Sequence, residues 1–218
     1  MRVQGFSWCK DNPKEIGISR LTAKILCDRH NHALSPVDEA GAKAFSVLRQ
    51  MRQLANVRER LKPRHWNVVR YRIDGPALER WFLKTLINLC CDHDYPIGRR
   101  STVVGRPTEQ LVRMAYGLES FEDRAGLYFV VRTGMQVNSS DTVKFSPLIK
   151  HGAHIEGGLF AFRGLLFLLF LEPEGPPLPL DGICIDGEDL GHAQLNFRNK
   201  QINVNTDKYR SQVLTINW

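Results

Sequence analysis

The chain has 218 residues, 43% apolar and 24% charged, enough for one good hydrophobic core and a composition that argues against a wholly disordered chain. Five cysteines, at 9, 27, 90, 91 and 184, form no evenly spaced disulfide framework and fit reduced thiols in a cytoplasmic protein. The formal charge of +7 is unevenly placed: residues 43–72 carry nine Lys and Arg against Glu59 alone, whereas residues 151–218 carry five basic and eight acidic side chains.

In chain order, Asp11-Asn12-Pro13 and Gly17 mark turns, and Ile25-Leu26 reads as a short strand leading into Cys27. Ser35, Pro36 and Asp38 match an N-cap, a first-turn proline and an acid at the positive end of a helix. Val37, Ala40, Ala44 or Phe45, Leu48, Met51 and Leu54 or Ala55 recur with helical spacing, and Pro63 ends the pattern. Trp66 to Ile73 has the β-branched and aromatic content of a strand. Asp74-Gly75-Pro76 then starts a second helix with Leu78, Trp81, Phe82, Leu86 and Leu89 on its apolar stripe, leaving Glu79 and Arg80 to face water. A short helix over 107–116 ends at Gly117.

After Gly126 the texture changes. Segments 127–131, 143–149, 159–162, 165–171, 201–204 and 213–218 read as short strands separated by Gly, Pro, Asn or Asp, which predicts a mainly antiparallel sheet. The apolar run 165–171 is a buried strand, far shorter than the roughly 20 residues of a membrane-spanning helix. The proline-rich 172–179 stretch is a stiff surface loop. The expectation is an α+β fold, with a knuckle-like segment and basic helix over 1–62 and an α+β core over 63–218.

Two groups of side chains carry chemistry. Lys43, Arg49, Arg52, Arg58, Arg60, Lys62 and Arg64 form a basic set suited to phosphate oxygens, with an acidic protein surface as the alternative partner. Arg99, Arg100 and Arg106 offer a second approach. Cys27 and His30 have the spacing of two zinc ligands on one turn; His32 and Cys9 are the further candidates. Cys27, His30 and His32 read more simply as a buried cysteine beside two turn histidines. Cys90 to Asp94 reads as a helix end, and His151, His154 and Glu156 as a surface turn. No Gly-x-Gly-x-x-Gly, phosphate loop or Gly-x-Ser-x-Gly elbow occurs.

The string Leu26-Cys27-Asp28-Arg29-His30-Asn31-His32-Ala33-Leu34-Ser35-Pro36-Val37-Asp38 resembles the second metal-binding knuckle and following helix of proteins related to the HNH endonucleases. That resemblance implies a small ββα unit with structural zinc and a metal-bound catalytic histidine that cuts phosphodiesters. In it Cys27 and His30 match the second pair of zinc ligands, and Asn31 the asparagine that orients the turn. The match is truncated or degenerate: no Cys-x-x-Cys precedes Cys27, and residues 1–29 contain no histidine to serve as general base. The expected function is therefore DNA or RNA binding, or assembly within a protein complex, rather than cleavage, with no membrane partner. The alternatives are an HNH-like endonuclease using a divalent cation, and a structural protein that binds an acidic partner.

Overall fold

The computed structural model describes residues 2–3, 14–15, 28–62, 66–91, 94–132, 135–150, 153–177, 180–185, 188–202 and 212–218. The strand expected at Ile25-Leu26 lies outside them. In chain order the elements are β1 (Arg2–Val3), β2 (Lys14–Glu15), α1 (Asp28–Ala33), α2 (Ser35–Glu59), β3 (Val69–Asp74), α3 (Gly75–Cys90) and α4 (Glu109–Ala115). Then follow β4 (Gly126–Val131), β5 (Val143–Lys150), β6 (His154–Phe162), β7 (Leu165–Phe170), β8 (Leu180–Ile185), β9 (Glu188–Leu190), β10 (Gln194–Phe197), β11 (Gln201–Ile202) and β12 (Gln212–Asn217).

The fold is α+β, with the N-terminal helices packed against a largely antiparallel C-terminal sheet. Seven strands run in the order β10-β4-β7-β6-β5-β1-β2, antiparallel except where β1 lies parallel to β5. A second sheet, β11-β12-β3, contains the parallel pair β3 and β12, so a strand from the first third of the chain lies beside the last one. The expectation of a mainly antiparallel C-terminal half holds for the large sheet; the parallel pair is the addition.

Sequence composition explains the centre of the sheet. Leu165, Phe167 and Leu169 of β7 face the helices, while Leu166, Leu168 and Phe170 belong to a second apolar cluster with Tyr128, Val130 and Leu190. A strand with both faces covered needs apolar residues at every position, hence the uninterrupted run. On the helix side Phe82 of α3 meets Phe160 at 4.7 Å and Phe167 at 5.3 Å between ring centres.

The two long helices cross closely. A Cβ on Gly41 would stand 2.4 Å from the indole of Trp81, so only glycine lets α2 approach α3 there. Lys84 of α3 ion-pairs with Asp38 in the first turn of α2 at 2.5 Å. Ala44, Val47, Leu48 and Met51 of α2 enter the same core cluster as α3 and the sheet. The expected boundary between 62 and 63 falls in the connection from α2 to β3.

Three local expectations require correction. Ser35 is the first residue of α2 and not its cap: α1 runs directly into α2 through the buried Leu34, whose carbonyl receives the amides of Val37 and Asp38. A chain arriving already coiled leaves the serine no capping role. His154 opens β6 instead of sitting on a surface turn, because the hairpin pairing of β5 with β6 extends to Lys150 opposite His154. Glu79 faces the interior, as described below.

Asp74 does cap α3, accepting the amide of Ala77 at 2.8 Å, with Pro76 in the first turn. Thr108 caps α4 in the same way, and Gly117 follows its end at φ 72°. Among the described residues no helix is long and apolar enough to cross a membrane.

Candidate nucleic-acid interface

The basic set separates into exposed, half-buried and buried members. Lys43 and Arg49 are exposed on α2, Arg49 opposite the stripe of Ala44, Val47, Leu48 and Met51 that enters the core and Lys43 on its flank. Arg60 and Lys62 are exposed just beyond its end. Arg52 is half-buried and lies 3.6 Å from Glu59. Arg64 lies outside the described residues.

Arg58 is the correction within this set. It is only 8% exposed and donates from Nη2 to the Asn67 carbonyl at 3.2 Å. Its guanidinium stands 5.1 Å from the centre of the Trp66 ring. Helical spacing explains the inversion. Arg58 is seven residues after Met51 and three after Ala55, both fully buried, so it lies on the core side of the helix. An arginine there packs its stem and satisfies a carbonyl, and its role is to fasten the segment before β3 onto the end of α2.

The fastening holds the start of β3 against the end of α2. Arg70 and Arg72 alternate with Tyr71 and Ile73, and both are exposed while Ile73 is buried. The period-two pattern of the strand was visible in the sequence, but only the observed register assigns its two arginines to the solvent side. Desolvation raises the Tyr71 phenol, with the nearby Arg58 charge acting in the opposite direction. Gln212 of β12 donates to the Met51 carbonyl at 3.0 Å and is buried, so the small sheet is held against α2 at this corner.

Apolar side chains stand among these cations. Val57 is 56% exposed, Leu61 48% and Val68 46%. The amides of Arg60 and Leu61 bond the carbonyls of Val57 and Arg58, each three residues back, so a tighter turn ends the helix between Val57 and Leu61. Val68 follows Asn67, the residue held by Arg58.

His30 and His32 are both exposed on α1. Being two apart on a helix they point about 160° away from each other at 3.6 residues per turn, so one ion cannot take both from this segment. Tyr116 presents its ring to His30 edge-on at 6.2 Å and donates its hydroxyl to the His30 carbonyl at 3.2 Å, docking α1 onto the end of α4. Cys9 and Cys27 lie outside the described residues. Among those described, no group of three or more His, Cys, Asp and Glu is placed to hold a metal.

The other polar clusters are occupied by structural work. Glu79, 4% exposed, accepts the Leu127 amide at 2.8 Å and meets Arg198 Nη2 at 3.2 Å. Burial raises its carboxyl above the ordinary range, outweighing the bonds from Arg198 and Leu127. A Cβ on Gly126 would come within 2.4 Å of Glu79 Oε1, so this glycine, at φ 130°, is what admits the carboxylate. Cys90 is fully buried, and desolvation followed by the charge of Cys91 pushes its thiol upward, which disfavours a reactive thiolate.

Arg99, expected as a second approach to phosphate, pairs with Glu174 at 3.2 Å, and its amide bonds Glu172 at 2.9 Å. Arg100 donates to Gln110 at 3.1 Å. A cleft of about 540 Å³ beside them is lined by Glu156, Glu172 and Glu174 with Arg99 and Lys150. Its mixed charge is poorly matched to a polyanion. Comparison with protein families, curated proteins and solved structures gave no match.

Proposed function

We propose that the protein is a cytoplasmic nucleic-acid-associated protein whose binding face is the α2–β3 corner, acting by binding or assembly rather than by cleavage. The observation that carries the reading is the solvent exposure of Lys43, Arg49, Arg60, Lys62, Arg70 and Arg72 in a stretch whose one acidic side chain before Asp74, Glu59, is placed beside Arg52. Cations left exposed on a fixed frame gain energy when they replace the counterions of a phosphate backbone.

Fluorescence anisotropy of labelled DNA and RNA oligonucleotides tests this directly. Reversing Arg49 and Arg60 together to Glu is expected to weaken binding by at least about tenfold without unfolding the protein. Equal affinity of the reversed protein would overturn the proposal, as would preferential capture of an acidic polypeptide.

A further inference from the structure

We infer that the α2–β3 corner takes single-stranded rather than duplex nucleic acid, an inference that rests on the nucleic-acid reading above and names its substrate. Val57, Leu61 and Val68 stand in water at the same corner as the exposed Arg60, Lys62, Arg70 and Arg72. Cations alone would serve any phosphate backbone. Apolar side chains interleaved with them gain nothing from phosphates, but they do gain from covering the faces of unstacked bases. A duplex keeps those faces stacked inside; a single strand exposes them alongside the charge.

The frame supports such a surface. Backbone bonds hold the chain at Val57 and Leu61, and the Arg58 bond to Asn67 holds it just before Val68. Preordered groups lose little conformational entropy on binding. Charge complementarity selects the occupant: this corner is basic, and an anionic polymer with apolar faces matches both components of it.

The test uses the whole protein with a labelled oligothymidylate of about 20 nucleotides and a hairpin duplex of equal charge, each titrated by anisotropy at matched salt. The single strand is expected to bind about tenfold tighter than the duplex. The triple variant Val57→Ser, Leu61→Ser, Val68→Ser is expected to lose most of that preference while keeping its salt dependence and duplex affinity. All three side chains are exposed, so circular dichroism should be unchanged. Equal or tighter duplex binding, or a triple variant that retains the preference, overturns the inference while leaving the nucleic-acid reading intact. No binding of either oligonucleotide overturns the reading itself. Tighter binding of polyglutamate or of anionic phospholipid vesicles assigns the corner to a different partner and overturns both.

Discussion

In the large sheet almost every inward side chain meets another apolar side chain, and the buried charge of Glu79 is met by Arg198 and an amide. At the α2–β3 corner, valine, leucine and four cations stand exposed together, while the buried Arg58 acts as a fastener. The sheet region is arranged for stability. At the corner, apolar side chains and like charge stand together in water.

Variants separate the two regions. The largest effect is expected in the sheet: Phe160 is fully buried, with Phe82 and Phe145 each 4.7 Å away between ring centres. Replacing it with alanine should cost about 3–5 kcal/mol in urea unfolding. Glu79→Ala should follow at about 3 kcal/mol, because it leaves Arg198 and the Leu127 amide without their carboxylate. Glu79→Gln should cost less, and it should also change the pH profile.

The sign of that change follows from the raised carboxyl. Its folded value lies above the ordinary 4.5, so folding favours the protonated form. This contribution is fully present below 4.5 and is lost as pH rises through the folded value. The native protein should therefore lose stability relative to Glu79→Gln on going from pH 4 toward neutrality; a constant difference between the two would contradict the assignment.

A smaller effect is expected at the boundary between the regions. Arg58→Gln removes the contact over Trp66 and the bond to Asn67, and should cost about 1–2 kcal/mol. Amide exchange at 67–69 should accelerate while the large sheet stays protected. Least of all, neutralising Arg60 and Lys62 should move stability by under about 0.5 kcal/mol, since both are exposed.

How much of this was legible in the sequence depended on range. The capping by Asp74, the end of α4 at Gly117 and the central strands were readable because a few neighbouring residues decide them. β10 was missed because Gln194 to Phe197 has little β character of its own and is a strand through pairing with β4. Glu79 was misread because its partner Arg198 is 119 residues away. The basic stretch was readable in outline, but Arg58 and Arg70 carry the same charge in the sequence and opposite exposure in the fold. Of the proposed zinc ligands, His30 and His32 are described and diverge on α1, while Cys9 and Cys27 lie outside the described residues.

The salt dependence of oligonucleotide binding tests the central claim most directly. A plot of log affinity against log salt should fall with a slope of about 0.7–0.9 for each phosphate neutralised. Replacing Arg60 and Lys62 with Gln should reduce that slope by about 1.4 for a single strand, in step with the two lost contacts. Identical slopes for the native and neutralised proteins would contradict the assignment of this corner as the nucleic-acid interface.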